Sequence, residues 1–243
     1  MASKNSITWE DNPIVRRERC LGNERFFGEF NKVLLRGEII EDLEYSHEII
    51  SGTFYKTVIS VLRAGGGVDL IPIMLHYELF GELFNEPLKG KMVEVMGQYR
   101  SHNQEGVDGK SHLNLFVYAK NIKIYDDEEL PEEQNATNIV YLEGHICRQP
   151  IFRKTPLGYC ITDLMLSVDR DYDLCDYIPC IAWGGYAKFS GTFNVGDHVK
   201  MYARIQSRTY TKRNSPGSEE GEKRTAYEVS VLKIYRFLND KVD

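Results

Sequence analysis

No stretch of the 243-residue chain holds the ~18 or more consecutive apolar residues that a membrane-spanning helix needs. Its first twenty residues, MASKNSITWEDNPIVRRERC, contain no apolar segment of the secretory kind, so the expected location is the cytoplasm. The five cysteines, Cys20, Cys147, Cys160, Cys175 and Cys180, form no C-x-x-C pair. Their spacing argues against zinc and for reduced thiols. Six scattered histidines show no H-E-x-x-H spacing, and no Ser-His-Asp or Cys-His arrangement can be picked out. The glycine run AGGG (Ala64 to Gly67) precedes Val68 and Asp69 where a P-loop needs Lys and Ser or Thr, so it reads as a hairpin loop. The chain therefore reads as non-enzymatic, with no metal, cofactor or membrane expected.

What the chain does hold is a repeat. The segment NKVLLRGEI from Asn31 and the segment NIVYLEGHI from Asn138 match at Asn31/Asn138, Val33/Val140, Leu35/Leu142, Gly37/Gly144 and Ile39/Ile146, an offset of 107 residues. Ile71-Pro72 and Ile178-Pro179 share that offset, and Gly90/Gly196, Val93/Val199 and Ser101/Ser207 sit one residue short of it. KIY at Lys123 matches KIY at Lys233. Each copy alternates apolar and polar residues with period two, as in Val199, Met201, Ala203 and Ile205 against Lys200, Tyr202, Arg204 and Gln206. Only the stretch after Gly184 and Gly185 looks helical. Four or five strands with a short helix between the third and fourth is the order of an OB-fold barrel, while an SH3-like barrel or a small sandwich shares the pattern. The expected class is all-β: two tandem five-stranded Greek-key OB-fold barrels, each with that helix. The expected boundaries are an N-terminal extension (1–30), a first barrel (31–125), an acidic linker (126–136) and a second barrel (137–238).

Net charge divides between the copies. It is −6 for the whole chain, but residues 1–134 carry 15 Lys and Arg against 23 Asp and Glu, and residues 135–243 carry 15 against 13. In the stretch DYIPCIAWGG, Tyr177 and Trp183 are an even number of residues apart and share one strand face, with Ile178, Cys180 and Ala182 on the other. Tyr202, Arg204, Arg208 and Tyr210 share a parity on the next strand. Tyr172 lies in a preceding loop, and Lys212, Arg213, Lys223 and Arg224 flank the tip of a long hairpin. Aromatic planes interleaved with cations are what single-stranded nucleic acid needs, for stacking and for phosphates. A protein partner could cover the same face.

In the second copy Asn138, Val140, Leu142 and Gly144 make N-x-V-x-L-x-G, followed by Pro150 and by Arg153, Thr155 and Gly158 in R-x-T-x-x-G. This run resembles the opening of bacterial single-stranded DNA-binding proteins, with Gln149 where that family usually has Asp. Trp183, Gly184 and Ala187 fit its third strand and helix, and Gly196, Asp197, Val199, Arg204, Ser207, Arg208 and Tyr210 fit its fourth strand, with Ala203 for Gly. The resemblance implies binding of single-stranded DNA without strong sequence preference, in replication, recombination or repair. Bases would stack on Tyr172, Tyr177, Trp183 and Tyr210. Phosphates would meet Arg148, Arg153, Arg204, Arg208, Lys212, Arg213, Lys223 and Arg224. In the first copy the positions of Tyr177 and Trp183 hold Leu70 and His76, and that of Tyr210 falls near Gln104, so a degenerate barrel kept for packing is expected. Four barrels per functional unit implies a homodimer. The chain stops at RFLNDKVD, so recruitment of partners by an acidic tail is not expected. A primosome-type interaction module of the same fold is the alternative.

Overall fold

The structure is a computed structural model that describes residues 30–63, 65–79, 86–105, 109–125, 138–170, 174–213 and 221–237. The first copy is built from β1 (Asn31–Ile39), β2 (Glu44–Ile49), β3 (Gly52–Leu62), β4 (Val68–His76), β5 (Met92–Glu105) and β6 (Ser111–Tyr125). The second is built from β7 (Asn138–Lys154), β8 (Cys160–Asp169), β9 (Cys175–Trp183), α1 (Gly184–Ser190), β10 (His198–Arg213) and β11 (Gly221–Phe237). Strand β7 pairs with β8, β8 with β9, β9 in parallel with β11, β11 with β10, and β10 back with β7, which closes an OB barrel. The first copy closes the same way, except that its first strand is split into β1 and β2 around residues 40–43. The first copy shows a 3-10 turn at Tyr77–Leu79 among its described residues, where the second has α1.

The inward residues of the period-two pattern form the cores: Val33, Leu35 and Ile39 in one barrel, Val140, Leu142 and Ile146 in the other, all at most 1% exposed. The shared motif has a mechanical reason. The Asn138 side chain donates from Nδ2 to the Ile205 carbonyl (2.7 Å) and accepts the Ile205 N–H at Oδ1 (2.8 Å), so it extends the β7–β10 ladder like one more backbone unit. Asn31 does the same to Tyr99, at 2.7 and 2.8 Å. At Gly37 and Gly144 a Cβ would collide with the carbonyl of Ser60 and of Ser167, residues that are themselves 107 apart. One sequence match fails. Tyr125 pairs with Met92 and Phe237 with His198, which sets the last strands at an offset of 112, so the two KIY segments are two residues out of register. A shift of two keeps every side chain on its face, which is why the pattern hid it.

The barrels join through their first strands. Strand β1 runs antiparallel to β7 with Val33 opposite Val140, so equivalent valines face each other across an approximate two-fold axis. Strands β6, β5, β1, β7, β10 and β11 thus form one sheet across the joint. Its outer side holds a cluster of Leu34, Met96 and Tyr141 packed by Ile139 and Tyr202. Tyr202, which parity grouped with Arg204, Arg208 and Tyr210, sits there with its ring 5.6 Å from that of Tyr141.

Candidate nucleic-acid interface

Strand β9 sorts its side chains by parity, except that Ile181 on the outer side is also buried. Asp176, Ile178, Cys180 and Ala182 are buried, and Tyr177 and Trp183 are 45% and 41% exposed. Burial pushes the Cys180 thiol well above its ordinary pKa, so it is unreactive core. The strand ends because Gly184 takes φ +57°, a left-handed conformation open to glycine, and turns the chain into α1. Trp183 is left at the rim.

Directly opposed residues on neighbouring strands lie on one face, so the register places rows across β7, β8 and β9. One row runs Arg153, Ile161, Trp183; the next Ile151, Asp163, Ile181; then Arg148, Met165, Pro179; then His145, Ser167, Tyr177. Tyr177 and Trp183 thus stand about 20 Å apart along the strand, and Arg153 about 10 Å across the sheet from Trp183. Arg148 and Arg153 are exposed on this same face. Tyr210 is 41% exposed near the end of β10, opposite Arg224 on β11, with exposed Arg208 on the same face and exposed Lys223, opposite Thr211, on the other. Arg204 is half-buried, with its Nε enclosed. Tyr172 lies outside the described residues, as do the side chains of Lys212 and Arg213.

Two acids interrupt the cations. Arg153 donates from Nε to Asp163 Oδ2 (2.7 Å) and from Nη2 to Oδ1 (3.0 Å), which raises its already high pKa. Glu228 on β11 is held above the ordinary carboxylate value by burial, with the nearby charges of Arg208 and Arg153 opposing and Asp163 reinforcing the shift.

Sequence reading missed the β7–β8 hairpin. Phe152, Leu157 and Tyr159 are all exposed there, around a turn in which the Gly158 N–H donates to the Thr155 carbonyl (2.8 Å) and the Tyr159 N–H to Thr155 Oγ1 (3.1 Å). The signal was an apolar, aromatic flank on a turn that is ordinarily polar. The first barrel offers a different face. Its His76, in the place of Trp183, packs edge-on to Phe54 (5.0 Å), and Phe54 stacks on His47 at 4.9 Å and 9°. Phe54, at the centre of that set, is buried.

Residues 137–237 match the single-strand binding protein family. The single-stranded DNA-binding protein of Thermus aquaticus is 25% identical over 173 residues, 65% of this chain and 62% of its own length. A single-stranded DNA-binding protein of Thermus thermophilus is 26% identical over 174 residues, with the same shares. The chain thus spans about 62% of the length of these curated relatives. Among solved structures, the wild-type Thermus aquaticus protein superposes with a TM-score of 0.66 at 18% identity, covering 88% of this chain and 95% of that one. The family match in the second barrel and the two-barrel likeness over most of the chain agree with the repeat and the register: the second barrel is similar to the single-strand binding protein family, and the chain as a whole has tandem OB folds.

Proposed function

We propose that the chain binds single-stranded DNA without strong sequence preference and catalyses no reaction. The observation that carries this reading is the outer face of β7, β8 and β9, where Tyr177 and Trp183 stand exposed on one strand with Arg148 and Arg153 in register two strands away. Tyr210, Arg208 and Arg224 on the β10–β11 hairpin extend the track, and Tyr172, Lys212 and Arg213 join it by their place in the sequence. Stacking supplies sequence-tolerant affinity and the cations follow the backbone. In the first barrel His76, in the place of Trp183, is packed with His47 on the buried Phe54, which supports a scaffolding role for that face. A titration with single-stranded DNA, duplex DNA and RNA of equal length at two salt concentrations tests the reading. Preference for the single strand, weakened by salt, is expected. Preference for duplex, or no binding, returns the chain to the protein-interaction alternative.

The same reading includes a homodimer with four barrels, since two-fold dimers are the commonest closed assembly. Tyr235 and Phe237, exposed opposite Lys200 and His198 on the joined sheet, support a face open to a second copy. Light scattering should give twice the 28.1 kDa chain mass, and a monomer at every concentration removes the dimer.

A further inference from the structure

We propose that the first barrel sets the stacking geometry of the second, with Ser101 and Arg100 acting as positioning residues for Tyr177. This rests on the single-stranded DNA reading above. Asp176, the residue before Tyr177, is 0% exposed. A carboxylate so enclosed persists only when it is paired and hydrogen-bonded. Most of its partners come from the other barrel. The Ser101 N–H donates to Asp176 Oδ1 at 2.7 Å and Arg100 Nη1 donates to Oδ2 at 2.9 Å, while Arg170 of its own barrel reaches Oδ1 at 3.5 Å. Arg100 is fixed in turn by a hydrogen bond to Gln98. The Tyr177 N–H then donates to Ser101 Oγ at 2.8 Å. The backbone that carries the exposed ring is therefore tied to a residue of the first barrel, one position after a side chain tied to two.

The approximate two-fold repeats this clamp on the opposite side of the joint. Asp69, 1% exposed, accepts Arg63 Nε at 2.9 Å and the Ser207 N–H at 2.8 Å, and the Leu70 N–H donates to Ser207 Oγ at 2.9 Å. Asp69 corresponds to Asp176, Ser207 to Ser101, Arg63 to Arg170 and Leu70 to Tyr177. The chemistry is the same, but the residue held is a leucine. One asymmetry is added: Arg100 stands where the second copy has Gln206, so a cation crosses the joint to the carboxylate beside Tyr177. A ring held at fixed height is preorganised for a base, and preorganisation raises affinity without adding a contact.

The symmetry supplies a matched control in the full chain. Ser101→Ala removes the bond from the Tyr177 N–H and a longer one from Ser101 Oγ to Asp176 Oδ1 (3.4 Å), and Ser207→Ala removes the bond from the Leu70 N–H, so both should lower the melting temperature, Ser101→Ala at least as much as Ser207→Ala. Only Ser101→Ala should weaken oligo-dT binding, by about three- to tenfold, the size of one hydrogen bond's effect. The salt dependence of binding should stay unchanged, because no phosphate contact is lost. Ser101→Thr, which keeps the oxygen, should restore affinity, and in a Tyr177→Ala background Ser101→Ala should cost nothing further. Equal affinity losses from both serine variants, or a loss that persists without the Tyr177 ring, would reduce the clamp to a purely structural role. If Tyr177→Ala weakens binding and Ser101→Ala does not, the positioning role alone is overturned. If Tyr177→Ala leaves binding intact, the stacking assignment falls and the positioning role with it.

Discussion

Replacing Asp163 by Asn should strengthen DNA binding, although it breaks an ion pair. The pair it forms with Arg153 is bidentate but open, with side chains 40% and 52% exposed, so it contributes at most about 1 kcal/mol to stability. On the proposed track, a phosphate reaching Arg153 must approach Asp163 as well. In water-like surroundings a unit charge ~4–7 Å away repels it by about 0.6–1 kcal/mol. Removing the carboxylate should therefore tighten binding roughly three- to fivefold at low salt. Arg153 would also become able to neutralise a phosphate of its own, which steepens the slope of log K against log salt by about 0.7 for a single strand. Fluorescence anisotropy of a labelled oligo-dT across a salt series measures both quantities. Unchanged affinity and unchanged slope would mean that DNA does not pass over the Arg153 row, and weaker binding would mean that the ion pair builds the site rather than obstructing it.

Asn138→Ala deletes two hydrogen bonds to the Ile205 backbone and should cost about 2 kcal/mol in denaturant unfolding, with Asn31→Ala similar at Tyr99; a neutral substitution would refute the ladder-extending role. Glu228 has its pKa raised by burial, so folding disfavours its charged form, and the penalty present at neutral pH is relieved as pH falls through that raised value. Its protonation also removes a negative charge beside Arg208 and Arg153, so affinity for DNA should rise over the same pH range and Glu228→Gln should abolish that part of the rise. An identical pH profile in the Gln variant would remove Glu228 from the track.

The fold was legible because a barrel wall has one buried face, which period two records, and because the Asn and Gly of the repeated motif do backbone work that no other side chain matches. The joint was not legible. By parity Asp69 and Asp176 fall on the inward faces with Ile71 and Ile178, but parity does not reveal that each is sealed by partners from the other copy, because sequence spacing does not encode contacts between copies. The same holds for the site. Tyr177 and Trp183 were found because parity is local, whereas the packing of Tyr202 on Tyr141 and the neutralisation of Arg153 by Asp163 depend on which strands meet. The joint also bears on dissection: a fragment of residues 135–243 would uncover the edge of β7 and strip Asp176 of Ser101 and Arg100, so point variants in the full chain isolate the second barrel more cleanly than truncation does.

The chain contains two tryptophans, Trp9 and Trp183, so a Trp9→Phe variant leaves Trp183 as the sole indole emitter. Titrating that variant with oligo-dT tests the central claim most directly. Trp183 emission should be quenched in step with binding, and Trp183→Ala should weaken binding by about 1–3 kcal/mol, the worth of one base stack. Saturable binding seen by anisotropy with Trp183 emission unchanged, together with undiminished affinity in Trp183→Ala, would contradict it.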